Sequence, residues 1–263
     1  MSPPRLRVLV PLVLLLLVGG AVAWKLAVRE KATPVSVKEA ISRFRAQSAR
    51  ARAAAAGALR GRVPEPGTYV YATRGVEEAH ALGTRRHHYP ARTTVTVLRE
   101  GCGVVERWDP LQTRAEKLEL CPSPGRWRQR SFGDVHRFVG RLDRRTYACT
   151  PASTYLPARR SPGTSWTTRC AINGTLRVEH STVVGERTLA IAGRPVRTLL
   201  LRLHLRISGK TKGAGTTSLW VEPRTGLLVR RVTNDASRTN VIITTVPYRE
   251  HIEMTLVSLR PRR

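Results

Sequence analysis

The most regular alternation of apolar and polar positions in the chain lies between Pro195 and Ile207. Leu199, Leu201, Leu203, Leu205 and Ile207 fall on one side of an extended backbone. Thr198, Arg202, His204 and Arg206 fall on the other, with Leu200 the exception. A period of two predicts a β-strand with one apolar face. The turn-like Ala192-Gly193-Arg194-Pro195 before it makes RTLAIA (187–192) its hairpin partner. Further strand candidates are GTYVYAT (67–73), ARTTVTVLRE (91–100), VVERW (104–108), EKLEL (116–120), RTYACT (145–150), TSWTTRC (164–170) and TLRVEHSTV (175–183). Near the carboxyl end, SLWVEPRTGLLVRR (218–231) reads as two strands around a turn, and VIITTVPYREHIEMTLVSL (241–259) completes the run. Pro223 presets φ where that turn starts, and Gly226 can take positive φ where the chain re-enters the sheet. No strand–helix–strand repeat appears, which argues against a nucleotide-binding α/β fold.

Helical spacing appears only before residue 64. Ser36 and Glu39 form a capping box, Val37, Ala40, Ile41 and Phe44 recur at helical intervals, and Gly61 with the VPEPG segment ends the pattern. In front of it, Val8 to Trp24 is an uncharged run, at the short end of the roughly 17–25 residues that span a bilayer. The same run fits a secretory signal with Arg5 and Arg7 ahead of it and Ala21-Val22-Ala23 as a cleavage site; the bulky Trp24 after that site favours an uncleaved anchor. The expected organisation is a short cytoplasmic tail at 1–7, a transmembrane anchor or signal peptide at 8–24, a juxtamembrane helix or stalk at 25–63, and a mainly β, antiparallel extracytoplasmic domain at 64–263. The proline-containing stretch 151–163 suits either a second domain boundary or a hairpin loop.

Charge changes this picture at the surface. The chain carries 46 lysines and arginines against 18 acidic residues, a formal net charge of +28. These cations are scattered, and aromatic residues make up only 5 %, so the basic stripe interleaved with aromatics that marks a nucleic-acid interface is missing. No nucleic-acid partner is expected; anionic lipid headgroups or envelope polymers are the partners such a charge attracts. The four cysteines, Cys102, Cys121, Cys149 and Cys170, contain no C-x-x-C pair, and an even count behind an export signal predicts two disulfides. Pairing 102–121 with 149–170 would staple the open ends of two hairpins. The alternative 121–149 also brackets a turn, at Gly133-Asp134.

Candidate chemistry is sparse. His87 and His88 sit in an arginine-flanked stretch that reads as a surface loop. His180 shares a face with Leu176 and Val178 and reads as a core histidine, and His204 lies on the polar face of its strand. No H-E-x-x-H or H-x-H spacing exists among these and His136 and His251, so no metal site is expected. A glycosidase would need two carboxylates across one cleft, and nothing singles out a pair such as Asp109 and Glu222. The nucleophile elbow, the Walker loop and the G-x-G-x-x-G fingerprint are all missing, and Cys102 in Gly-Cys-Gly reads as half a disulfide. Neither catalytic residues nor a cofactor is expected.

Two stretches carry a resemblance. PGTYVYATRGVEEAHALGTRRHHYPARTTVTV (66–97) is similar to a segment of uncharacterised actinobacterial exported proteins with one amino-terminal span. The 218–231 hairpin resembles that of the lipoprotein-carrier superfamily at Trp220, Glu222, Thr225, Gly226, Leu227 and Arg230. That superfamily includes periplasmic lipoprotein chaperones, envelope lipid-binding lipoproteins and sensor domains. The resemblance implies an open, strongly curved antiparallel sheet or half-barrel whose concave apolar face binds acyl chains; here Leu199, Leu201, Leu203 and Leu205 would line that face. The expectation is a membrane-anchored, non-enzymatic domain that binds a lipid, lipoprotein or other envelope component. An envelope sensor acting through a membrane-protein partner, and a cell-wall hydrolase, are the competing readings.

Overall fold

The computed structural model of the chain describes residue 20 and residues 32–54, 63–80, 83–138, 141–241 and 244–263. The expected anchor at 8–24, apart from Gly20, lies outside the described residues. No helix among the described residues is long and apolar enough to cross a membrane.

One antiparallel sheet forms the body. Its strands are β1 (Gly67–His80), β2 (Thr84–His88), β3 (Arg92–Glu100), β4 (Gly103–Leu111), β5 (Arg114–Ser123), β6 (Arg126–Phe138) and β7 (Arg141–Leu156), followed by β8 (Ser165–Ile172), β9 (Thr175–Ile191), β10 (Arg194–Gly209), β11 (Thr211–Val221), β12 (Leu228–Val241) and β13 (Thr244–Leu256). From β3 to β13 every strand pairs with its chain neighbour, so the sheet is a simple meander. β2 and β3 share one register along β1, Val76↔His88 and Ala72↔Arg92, bridged by backbone bonds from Tyr89 to Gly75 and from Thr73 to Ala91.

The expected open, curved sheet or half-barrel is corrected here. β13 pairs with β1 from Tyr71↔Leu256 to Ala79↔Tyr248, and this pairing closes twelve strands into a barrel, with β2 extending β3. Closure satisfies the two edges that an open sheet would leave to solvent or to other chains. Local turn chemistry supports the meander. Asn173-Gly174 and Ala192-Gly193 take positive φ at both positions, the type I′ geometry that suits the twist of a two-residue hairpin.

Both disulfides follow the favoured pairing, Cys102–Cys121 and Cys149–Cys170. The second sits where the barrel wall is thinnest in hydrogen bonds: β7 and β8 share the single register pair Ala148↔Ala171. Around it the seam is held by side chains. The Trp166 indole N–H and the Thr168 hydroxyl both donate to the Thr154 carbonyl, at 2.9 and 2.6 Å.

The helix α1 (Val37–Ala54) begins as expected, with the Glu39 amide donating to Ser36 Oγ at 3.1 Å. The Glu39 carboxylate does not complete the reciprocal box; it accepts from Arg43 Nη2 one turn on, at 2.5 Å. α1 packs on the outside of β1 and β3 and buries Ala40 and Phe44. The outward-facing Val70, Thr94, Thr96 and Leu98 of those strands are buried as well. Elsewhere the exterior is polar: β10 presents Arg202, His204 and Arg206 to solvent, and Arg238, Arg249 and His251 are exposed on β12 and β13. A membrane-spanning barrel needs an apolar outer band, and this outer face is built for water.

The ends of the barrel differ. At one end lie the β3–β4, β5–β6, β7–β8, β9–β10 and β11–β12 turns, and there Tyr69, Tyr71, Val97, Val104, Leu120, Trp127, Leu156 and Val221 pack into a solid apolar floor. The 218–231 hairpin belongs to this end. Glu222 binds its own turn, accepting from the amides of Arg224 and Thr225 and from the Thr225 hydroxyl. Gly226, at φ 77°, lays its backbone against the Trp127 ring. Trp220 stacks under Arg230 at 5.2 Å. The residues that carry the family resemblance therefore build and brace a turn.

Candidate functional site

Above the floor the barrel is hollow. The lumen is a cavity of about 760 Å³, within the size range of small-ligand sites. Residues of every strand except β2 line it, and the lining is mixed in chemistry. One wall is apolar, with Leu201, Leu203, Leu205 and Ile207 of β10 and Leu219 of β11. Of the four leucines expected on a ligand-facing surface, the structure brings three to the lumen and places Leu199 in the floor cluster.

Much of the remaining lining is charged, including Arg177 and Glu179 of β9, which pair across to Ile207 and Leu205. Seven of the 18 acidic residues line the lumen. Arg114 of β5, 3 % exposed, is the hub. It donates from Nε to Glu250 at 3.0 Å, from Nη1 to Asp134 at 2.8 Å and from Nη2 to Glu116 at 2.5 Å. Arg231 holds the other side of Glu116, donating from Nη1 at 2.5 Å and from Nη2 at 3.1 Å. Both guanidinium groups lie 5.5 Å from the centre of the Trp108 ring, which forms part of the same wall. Nearer the mouth, His136 Nε2 pairs with Asp134 at 2.9 Å and its Nδ1 stands 3.5 Å from Glu77. Arg177 pairs with Glu179 at 3.1 Å and covers the Phe132 ring at 4.3 Å.

Titration follows from these contacts. Burial disfavours the charge of Glu116, but Arg231 and Arg114 outweigh it and hold the carboxyl down to about 2. Glu77 is likewise disfavoured by burial and brought to about 2 by His136, His87 and Arg114. Burial acts against the imidazolium of His136, yet Asp134 prevails and raises it to about 9. Two acids move the other way. Burial pushes Asp235 up to about 7 against the opposing pull of Arg177, and burial alone pushes Glu106 up to about 7. Glu106 Oε1 and Asp235 Oδ1 are sealed from solvent and have no hydrogen-bond partner among the described residues. The Asp235 side chain occupies space left by Gly215 across the β11–β12 ladder, where a Cβ would stand 1.8 Å from Oδ1.

Several histidine readings are revised. His87 lies in β2, buried, with Nδ1 3.0 Å from Glu77, while His88 faces solvent on the other side of the strand. His180 is exposed and meets Thr167 at 2.9 Å, because the inward face of β9 is the polar set Arg177, Glu179 and Ser181. Asp109 is bound by Arg107, and Glu222 lies in its turn at the floor, so these two carboxylates do not share a cleft. Among the described residues no group of three His, Cys, Asp or Glu side chains is arranged to hold a metal ion.

The lumen charges escaped the strand reading, although their signal is present. Arg114 and Glu116 share a face with Leu118 and Leu120, and Asp134 and His136 with Phe132. Charge continuing an apolar face at a period of two marks a strand that runs from a packed floor into a polar interior.

No protein-family model and no curated protein matches the chain. Among solved structures, it is similar to the crystal structure of the hypothetical lipoprotein YmcC from Escherichia coli (K12). The identity is 15 %, the match covers 74 % of this chain and 86 % of that one, and the TM-score is 0.34, too distant to carry a functional argument.

Proposed function

We propose that the protein is an extracytoplasmic binding barrel that takes one elongated amphipathic molecule of the cell envelope into its lumen. The observation that carries this reading is the mixed cavity, in which the leucines of β10 share one lumen with a network of buried ions. An apolar chain lying against Leu201, Leu203 and Leu205 would itself leave water, at about 25 cal/mol per Å² buried. The carboxylates at the hub are each bound by arginine, which makes them fixed elements of the wall rather than groups poised for proton transfer. The two disulfides support a compartment outside the cytoplasm. The uncharged 8–24 segment would tether the barrel to the membrane, and the basic exterior would hold it close to anionic lipid or polymer.

The test is a titration of the purified chain with N-phenyl-1-naphthylamine, a neutral probe whose emission rises in apolar surroundings. Saturable 1:1 enhancement is expected in the wild type. It should be lost both in Leu203→Arg, which puts a charge on the apolar wall, and in Leu203→Trp, which fills it. Enhancement that never saturates, or that both variants retain, would remove the lumen as the site.

A further inference from the structure

Glu106 stands apart from the other lumen acids. It is on the inward face of β4, paired across to Val97 and Leu118, one layer below Trp108 and Glu116 and next to the floor residues Val104 and Leu120. It is 7 % exposed, lines the lumen, and its Oε1 has no hydrogen-bond partner among the described residues. The titratable groups that feel its charge are the phenols of Tyr69, Tyr71 and Tyr155. Two of these phenols donate elsewhere, Tyr69 to the Glu65 carbonyl and Tyr71 to the Leu228 carbonyl. Glu116, Asp134, Asp143, Glu179 and Glu250 each have an arginine at ion-pair distance. Asp235 lies within the fields of Arg177 and Arg231. For Glu106, burial is the sole effect acting on the carboxyl. Among the described residues no cation pairs with this carboxyl deep in the cavity.

A buried acid of this kind is costly unless something pairs with it, and an opening to a cavity lets a ligand provide the partner. We infer that Glu106 is the counter-ion for a cationic head group, so that the lumen selects amphiphiles bearing an amine and binds them amine first. This rests on the lumen being the binding site. The ammonium would sit at Glu106, in the layer above the floor, and the chain would run along Leu203, Leu205 and Ile207 toward the mouth. From Leu201 to Ile207 the wall extends about 20 Å at roughly 3.3 Å per residue, enough for a medium-length chain.

The test uses three ligands with one chain length: decylammonium, decanol and decanoate. Each is titrated calorimetrically into the full chain in detergent-free buffer at mildly alkaline pH. Decylammonium is expected to bind about tenfold or more tighter than decanol, in keeping with a buried charge-assisted hydrogen bond. Decanoate should bind weakest at the lumen. Glu106→Gln should erase the preference for the amine over the alcohol. Equal binding of the amine and the alcohol, tighter lumen binding of decanoate, or an unaltered amine preference in Glu106→Gln would overturn the assignment. If none of the three binds, the lumen reading itself fails. Should Glu106→Gln not fold, Glu106→Leu replaces it, and the ranking of the three ligands on the wild type still decides the head-group assignment.

Discussion

Replacing Glu106 by glutamine tests the interior electrostatics without any ligand. Burial raises this carboxyl from 4.5 to about 7. An acid whose pKa is higher in the folded than in the unfolded chain keeps its proton on folding across that window. The unfolded state is then the one that gains by ionising, and stability falls as pH rises from about 4.5 to about 7. At 1.36 kcal/mol per unit the loss is about 3 kcal/mol. For a domain of this size, that corresponds to a fall in Tm of about 6–12 °C. Glutamine does not titrate. Any penalty from its unpaired amide shifts the variant's melting point by the same amount at every pH, so the slope isolates the carboxyl. Melts followed by circular dichroism between about pH 4 and pH 8 should show the wild type losing roughly 3 kcal/mol more than Glu106→Gln. Parallel curves would refute the argument that Glu106 is desolvated without a cation.

Three further outcomes follow from the same structure. Arg114→Met strips the shared cation from Glu116, Asp134 and Glu250 and should cost about 3–5 kcal/mol, read as a lower Tm at neutral pH. It should also flatten the acid limb: Glu116 and Glu77, held at about 2, contribute stability that is present above about pH 4.5 and lost as pH falls toward 2. Removing the Cys149–Cys170 disulfide by a double alanine substitution, which opens a loop with a sequence separation of 21, should cost about 3 kcal/mol. Hydrogen exchange should then speed up first in Ser165–Ile172, since β7 and β8 share a single register pair and side chains hold the rest of that seam. Gly215→Ala places a Cβ 1.8 Å from Asp235 Oδ1 and should destabilise by about 1–3 kcal/mol; an unchanged melting curve would mean that Asp235 does not pack over this glycine.

Much of the wall was legible in the strand patterns, because inward apolar residues alternate with outward polar ones on β10 and around both stapled hairpins. The disulfide pairing was legible only in part: 102–121 and 149–170 each staple a hairpin, but 121–149 stayed open because Gly133-Asp134 reads as a turn, whereas it lies inside β6. Closure was not. Whether Leu256 meets Tyr71 depends on the summed twist and stagger of the whole meander, which no local window encodes. The interior site was hidden by the rule that polar faces point outward. On β9 that rule inverts, so Arg177 and Glu179 face the lumen while Leu176 and His180 face water. β6 was overlooked because RWRQRSFGDVHRF lacks an apolar stripe; its inward Asp134 and His136 are satisfied by ions on neighbouring strands. His87 was hidden between Arg86 and His88, which alternate away from it into solvent.

The claim that an apolar chain enters this barrel and lies along the leucines of β10 puts its head-group end in the layer next to Trp108. Decanol carrying bromine on the carbon next to its hydroxyl group quenches tryptophan on contact, and the five tryptophans of the chain include one in the lumen wall, Trp108, and one on the outer side of the hairpin, Trp220. Titration should give saturable quenching that is largely lost in Trp108→Phe and retained in Trp220→Phe. Quenching that does not saturate, or that survives Trp108→Phe, would contradict the claim.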